Sequence, residues 1–110
     1  MLVLCIIVLT IKLGLGAAGA KSDVVKEKIR QGATVIDVRT PAEYKLGHYR
    51  GATNIPIQEM QNHLPQLVDK KKAVVVYCAS GIRSARAAKI LTAAGYRDVT
   101  NAGGLSNLEP

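Results

Sequence analysis

The sequence predicts one α/β domain, in which helices cover both faces of a central, mainly parallel sheet. Two short β-branched runs, at residues 34–38 and 74–76, are separated by segments with helical patterns. This alternation is typical of βαβ units and a parallel sheet. A chain of 110 residues has room for one domain with one hydrophobic core. Because the only aromatic residues are four tyrosines, that core must consist mainly of Val, Ile, Leu and Ala.

An apolar segment opens the chain. Residues 2–11 are apolar except for one threonine, and after Lys12 the segment ends in Ala18-Gly19-Ala20. An apolar region before a small-residue cleavage site is typical of a secretory signal, although no Lys or Arg precedes this one. A membrane anchor is the alternative, because about 20 residues can span a bilayer. A lysine near the middle would cost about 2.5–3.5 kcal/mol there, which disfavours spanning.

We therefore expect a hydrophobic leader at residues 1–20 and a globular domain at residues 21–110, in the periplasm or otherwise outside the cytoplasm. The domain is expected to be a monomer that meets a membrane only through the leader. Of the two cysteines, Cys5 lies in the leader and Cys78 in the domain. If the leader is cleaved, Cys78 is the one thiol left and cannot form an internal disulfide. An unpaired cysteine in an exported protein is a candidate reactive group.

The formal net charge of +7 belongs almost entirely to the globular part of the chain. Nucleic-acid binding is not expected, because aromatic and basic residues are not interleaved as a stacking platform requires. The lysine run at residues 70–72 suits a solvated turn before a buried strand. We expect the charge to favour small anionic substrates.

The elements before the central strand follow from local signals. Ser22 is a good N-cap for a helix that runs to Gly32. The strand at residues 34–38 comes next. Residues 40–43, Thr-Pro-Ala-Glu, then form a capping box with proline at the first helical position. A further helix is predicted at residues 57–68.

Three polar side chains in this half of the chain are candidate functional groups. Asp37 and Arg39 lie two positions apart on a strand and so point to the same face. An ion pair that fixes the strand end is favoured over a catalytic acid. His48 could be a base or metal ligand, but no second His or Cys lies at ligand spacing, so a hydrogen-bonded structural role is favoured. His63 is expected at the surface.

Residues 74–86 give the strongest signal: a buried strand, a tight loop that opens with Cys78, and the start of a helix. The three consecutive valines predict a central strand covered on both faces. Gly81 permits a turn with positive φ. From Ser84 an apolar stripe with helical spacing continues to Gly95, which is a natural C-terminal stop.

This arrangement predicts an activated thiol. A cysteine at the carboxyl end of a strand faces the unpaired N–H groups and the positive dipole end of the following helix. Both favour the thiolate, and Arg83 and Arg86 add positive charge nearby. Successive N–H groups in a tight loop also form a concave anion site. We interpret Cys78 as a nucleophile in an anion cradle rather than as a structural core cysteine.

The end of the chain is simpler. Residues 98–100 predict a short edge strand, and residues 101–105, Asn-Ala-Gly-Gly-Leu, predict a turn that approaches the loop. The chain stops two residues after Leu108, so the closing helix is expected to be short.

Four motifs in this order resemble the rhodanese (thiosulfate sulfurtransferase) family, specifically its single-domain type with a six-residue loop. The motifs are C-x-x-G-x-R at residues 78–83, V-I-D-V-R-x-P-x-E-Y at 35–44, G-H-Y-x-G-A-x-N-I-P at 47–56 and N-A-G-G-L at 101–105. Tyr49 stands where the family usually has Ile, and Leu108 where it often has Trp. The resemblance implies the rhodanese-like three-layer fold.

The resemblance also implies a function. Cys78 would take a sulfane sulfur from thiosulfate or another donor, become a persulfide, and pass the sulfur to cyanide, a small thiol or a protein dithiol. No cofactor or metal is expected. Backbone N–H groups of the loop would bind the terminal sulfur: Ala79, Ser80, Gly81, Ile82 and Arg83.

Two other functions are alternatives to this enzyme. A phosphatase or arsenate reductase on the same fold needs C-x5-R, and here Arg83 follows Cys78 after only four residues. The loop is therefore too short for that chemistry. A persulfide carrier or thiol sensor that acts on a protein partner needs the same loaded Cys78, so the sequence leaves this alternative open.

Overall fold

The computed structural model describes residues 19–64 and 69–109. In chain order the elements are α1 (Ser22–Arg30), β1 (Thr34–Asp37), α2 (Pro41–Leu46), β2 (Thr53–Asn54), a 3-10 helix (Ile57–Glu59), α3 (Met60–His63), β3 (Val74–Cys78), α4 (Ile82–Ala93), β4 (Val99–Gly104) and a closing 3-10 helix (Leu105–Asn107).

The four strands form one parallel sheet in the order β2-β1-β3-β4. The central strands pair in register, from Thr34 with Val74 to Asp37 with Tyr77. The chain leaves β1 towards one edge of the sheet and leaves β3 towards the other edge. Open α/β sheets bind ligands at such a switch point, beside the carboxyl ends of the strands. The predicted α/β class with a parallel sheet is confirmed.

Apolar side chains pack on both faces of this sheet. Val74, Val76 and Cys78 pack with residues of α3 and α4 on one face. Val75 and Tyr77 pack with residues of α1 and α2 on the other. Because side chains alternate along a strand, consecutive β3 residues serve opposite layers, and all five are buried. The prediction of a central strand covered on both faces is confirmed.

Two helix ends carry the signals that the sequence predicted. Thr40 Oγ1 accepts from the Glu43 N–H at 3.2 Å, and the Thr40 N–H donates to the Glu43 carboxylate at 3.1 Å. These two bonds form the capping box that starts α2. Gly95, with φ of 100°, follows the last residues of α4 and provides the predicted stop.

Other element ends differ from the prediction. Ser22 is not an N-cap: α1 begins at Ser22 after Lys21, and the serine hydroxyl donates to the Asn107 carbonyl at 3.1 Å. That bond ties α1 to the closing 3-10 helix. The helix ends at Arg30 rather than Gly32. The predicted helix at 57–68 is a 3-10 turn followed by the short α3, and residues 65–68 lie outside the described part of the chain.

The last strand is longer than predicted. β4 extends through Gly104, so most of the predicted turn at residues 101–105 is strand. Its register shifts by one residue, because Asn101 pairs with Val76 whereas Gly103 pairs with Tyr77. Gly103 has φ of 85°, which suits a β-bulge. The adjacent glycines therefore form a bulge in a strand.

The predicted leader lies mostly outside the described residues, together with Cys5. Its last two residues contact β4. The Ala20 N–H donates to the Asn101 carbonyl at 2.8 Å, and a Cβ on Gly19 would lie 2.9 Å from the Gly103 nitrogen. Within the described ranges, no helix has the length and apolar character needed to cross a membrane.

Packing of α4 on the sheet can be tested at Leu91, which is fully buried. We expect Leu91→Ala to lower the free energy of unfolding by about 2–5 kcal/mol, because the lost methyl groups leave a cavity. Thr92→Ala, at the adjacent exposed position, should change it by less than about 0.5 kcal/mol. Urea unfolding followed by circular dichroism measures both, and equal effects would contradict this packing.

Candidate active site

Cys78 is the last residue of β3, and its side chain is fully buried. Residues 79–81 turn the chain into α4, with Gly81 as N-cap at φ of 100°. The Gly81 N–H donates to the cysteine Sγ at 3.0 Å, and the Ser84 N–H lies 3.4 Å from the same atom. The cysteine therefore faces the start of α4, as the sequence predicted, beside the switch point of the sheet.

Ser84 contacts this sulfur, and Asn101 holds Ser84 in place. The Ser84 Oγ lies 3.4 Å from the Cys78 Sγ and donates to the Asn101 Oδ1 at 2.6 Å. The asparagine also accepts from the Gly103 N–H at 2.9 Å and donates to the Gly81 carbonyl at 3.1 Å. One side chain thus joins β4, the loop and α4.

Sequence reasoning missed both residues. The sequence pattern predicts only a helix start at Ser84, whereas α4 begins two residues earlier, at Ile82. Asn101 was assigned to a turn rather than to a strand that borders the site. The available signal for Ser84 was a hydroxyl residue six positions after a strand-end cysteine, at the predicted helix start.

The hydrogen bonds around Cys78 control its ionisation. Burial alone would raise the pKa of the thiol. The donors around a thiolate outweigh burial, so the pKa is lowered from its ordinary value. They are the Ser84 hydroxyl, which can turn its proton from Asn101 to the sulfur, and the N–H groups of Ser84, Gly81 and Ser80. The geometry therefore agrees with the predicted preference for thiolate.

The predicted loop residues divide into two groups. Ala79 and Ser80 are exposed and Gly81 is buried, and these three make the turn. Ile82 and Arg83 instead form the first turn of α4, where N–H groups have no partner within the helix. The Ile82 side chain is 71% exposed at this point.

Arg83 contributes its charge differently from the expectation. Its Nη1 and Nη2 donate to the two carboxylate oxygens of Glu43 at 2.7 and 3.0 Å. The hydrogen bond to Arg83, followed by that from Thr40, lowers the pKa of Glu43 to about 2. The expected positive charge beside the thiol is therefore compensated by a carboxylate, and Arg86 is exposed on α4.

A second charged cluster lies on the opposite face of the sheet from Cys78. Asp37 is fully buried and accepts from Arg39 Nη2 and from the Tyr77 hydroxyl, both at 2.7 Å. Burial is the main cause that raises the pKa of Tyr77 to about 12. Because Tyr77 precedes Cys78 on β3, their side chains point to opposite layers. The predicted ion pair of Asp37 and Arg39 is confirmed, and it lies at the end of β1 on the face of the sheet away from the sulfur.

Both histidines are hydrogen-bonded to nearby backbone carbonyls. His48 Nδ1 lies 2.8 Å from the Tyr44 carbonyl oxygen, and the two rings stack with centroids 3.6 Å apart. His63 Nδ1 lies 3.0 Å from the Glu59 carbonyl oxygen. In the described part of the chain, no three His, Cys, Asp or Glu side chains are arranged to hold a metal ion.

β4 closes on the loop from the other side. A Cβ at Gly104 would lie 2.7 Å from the Ala79 carbonyl oxygen, so this close approach requires glycine. The glycine pair of the fourth motif thus has two separate tasks: Gly103 makes the bulge, and Gly104 admits the loop.

Comparison with known proteins decides the family. The profile of the Rhodanese-like domain matches residues 21–109. The chain belongs to this family. It is 45% identical over 74 residues to thiosulfate sulfurtransferase PspE of Escherichia coli K12, across 66% of this chain and 71% of that one. Membership confirms the sequence-based recognition and supports sulfurtransferase activity in general.

Solved structures agree with this fold. A rhodanese with anions from E. coli is 42% identical, with a TM-score of 0.66 over 70% of this chain and 92% of that one. A rhodanese-like domain protein from Staphylococcus aureus is 28% identical, with a TM-score of 0.69 over 81% and 88%. The chain also spans 24% of the tRNA uridine(34) hydroxylase of Hamiltonella defensa, at 34% identity over 85 residues and 72% of this chain.

The contribution of Ser84 to the thiolate can be measured directly. Ser84→Ala removes a charge-assisted hydrogen bond worth about 1.5–3 kcal/mol, so the pKa of Cys78 should rise by about 1–2 units. In a Cys5→Ser background, where Cys78 is the one thiol left, the pH profile of iodoacetamide alkylation reports that pKa. Ser80→Ala is the control, since it keeps its backbone N–H and should leave the profile in place. An unshifted profile for Ser84→Ala would contradict the role given to its hydroxyl.

Proposed function

We propose that this chain is a thiosulfate sulfurtransferase that carries sulfur as a persulfide on Cys78. One observation carries the proposal: the Cys78 Sγ faces the N–H groups of Gly81 and Ser84 at the start of α4. Such a site stabilises a sulfur anion before and after sulfur is loaded. The name of the E. coli relative supports thiosulfate as the donor.

The reaction would run in two displacements. The Cys78 thiolate attacks the outer sulfur of thiosulfate, the S–S bond breaks, and its electron pair leaves with sulfite. The terminal sulfur of the persulfide then carries the negative charge. A nucleophilic acceptor, such as cyanide, a small thiol or a protein dithiol, attacks that sulfur, and the electron pair of the breaking S–S bond returns to Cys78.

The loop would hold the terminal sulfur through its backbone. Ile82 and Arg83 have N–H groups in the first turn of α4, and these supplement the donors of residues 79–81. In this proposal the domain acts as a monomer outside the cytoplasm, with the leader at residues 1–20.

A persulfide carrier or thiol sensor is the second candidate. The exposed Ile82 next to the buried sulfur offers an apolar contact to a protein partner. Such a carrier would load sulfur on Cys78 but turn over slowly with small acceptors. Turnover with cyanide therefore discriminates the two functions. The short loop and the ion pair of Arg83 with Glu43 give no support to a phosphatase, which needs a C-x5-R loop that encircles an oxyanion.

The covalent intermediate can be weighed. After thiosulfate treatment, the intact mass of the protein should increase by one sulfur atom, cyanide should reverse the gain, and Cys78→Ser should show none. Initial rates at several concentrations of thiosulfate and cyanide should give parallel double-reciprocal lines, because a persulfide links two half-reactions. An unchanged mass in both proteins would remove thiosulfate as the donor, and intersecting lines would contradict the two-displacement scheme.

A further inference from the structure

Two arginines follow the carboxyl ends of β1 and β3, and each is paired with a carboxylate. Arg39 pairs with Asp37, whose side chains are 11% and 0% exposed. Arg83 pairs with Glu43, whose side chains are 32% and 34% exposed. Breaking a buried pair leaves an uncompensated charge, whereas a half-exposed pair opens readily because water solvates both partners. Of these two arginines, Arg83 is therefore the one that an incoming anion can reach.

Glu43 is held in place without help from Arg83. Its Oε1 accepts from the Thr40 N–H and from the Thr40 hydroxyl, both at 3.1 Å. These bonds belong to the capping box of α2, so folding of that helix fixes the carboxylate opposite the guanidinium. The hydrogen bond to Arg83, followed by that from Thr40, lowers the pKa of this carboxyl to about 2, so it is ionised at neutral pH.

Arg83 is next in sequence to a residue that contacts the sulfur. It is the second residue of α4, one position before Ser84, whose N–H and hydroxyl both lie 3.4 Å from the Cys78 Sγ. Hydrogen bonding to Glu43 is the main cause that raises the pKa of Arg83, and the charge of the Cys78 thiolate contributes to the same effect. An anion seated at the sulfur would therefore interact with a released guanidinium.

We propose that Glu43 is a specificity residue, which competes with anionic sulfur donors for Arg83 and so selects for donors of low charge. The inference rests on the proposed function for its meaning as donor selection. A doubly charged donor such as thiosulfate must displace the carboxylate before it gains the guanidinium. A neutral or singly charged sulfur donor, such as an organic persulfide, reaches Cys78 without that exchange.

Glu43→Gln tests the inference without disturbing the helix. Glutamine at this position preserves a capping box, so α2 should remain capped while the negative charge is lost. Glu59→Gln, at an exposed position, makes the same change in net charge and serves as the control. All variants carry Cys5→Ser, so that Cys78 is the one thiol left. Two alkylating probes of nearly equal shape, anionic iodoacetate and neutral iodoacetamide, then report how readily an anion approaches Cys78.

The ratio of the iodoacetate rate to the iodoacetamide rate should rise about threefold to fivefold in Glu43→Gln, the scale of a half-exposed ion pair. It should stay unchanged in Glu59→Gln and should fall in Arg83→Gln. The double variant Glu43→Gln/Arg83→Gln should show no gain over Arg83→Gln. The same ratio in Glu43→Gln and Glu59→Gln, or a gain that persists in the double variant, would overturn the inference.

Steady-state kinetics separate this inference from the proposed function. For thiosulfate and cyanide, Glu43→Gln should lower KM for thiosulfate by a similar factor and leave kcat unchanged. If the wild type fails to turn over thiosulfate but the alkylation ratio still rises, the proposed function fails and the competition by Glu43 stands. If thiosulfate is turned over and its KM is the same in both proteins, the competition is refuted and the function stands.

Discussion

The hydrogen bonds between the Cys78 sulfur and the start of α4 are the interaction on which the rest of the site depends. A buried thiol would ordinarily resist ionisation, and only the donors of the loop and the first helical turn reverse that preference. Those donors are in place because Gly81 turns the chain with positive φ and Asn101 ties the loop to β4. β3 positions the sulfur, and the N-terminus of α4 provides the N–H groups and the positive end of its dipole. The Asn101 side chain fixes the loop and the helix relative to β4.

The Ser84 hydroxyl can donate its hydrogen bond to either of two neighbours, Asn101 or the Cys78 sulfur. A hydroxyl has one proton, which Ser84 donates to Asn101 over a 2.6 Å bond. Its oxygen can then accept a hydrogen bond from a neutral thiol. When Cys78 becomes a thiolate, the Ser84 O–H donates more favourably to the negatively charged sulfur than to Asn101. The Asn101 oxygen still accepts from the Gly103 N–H. In the proposed reaction the hydroxyl would thus donate to Asn101 beside a neutral thiol and to the sulfur beside a thiolate.

Local patterns predicted the parallel class, the capping box, the glycine stop of α4 and the placement of Cys78, because neighbouring residues determine these features. They missed the Ser84–Asn101 and Arg83–Glu43 contacts, which join residues 17 and 40 positions apart. Such contacts depend on which strands become neighbours, and the strand order is a property of the whole chain. The glycine pair near the C-terminus was misread as a turn for the same reason: only pairing with β3 turns it into a bulge.

The most direct test of this account is a pH titration of the wild-type thiolate, followed by its ultraviolet absorbance and compared with Cys78→Ser. We expect the difference between the two proteins, which removes the absorbance of Cys5 and of the tyrosines, to titrate with a midpoint below the value of about 8.5 for an ordinary thiol. A midpoint at or above that value would show that burial outweighs the donors at the start of α4, and it would contradict the central claim.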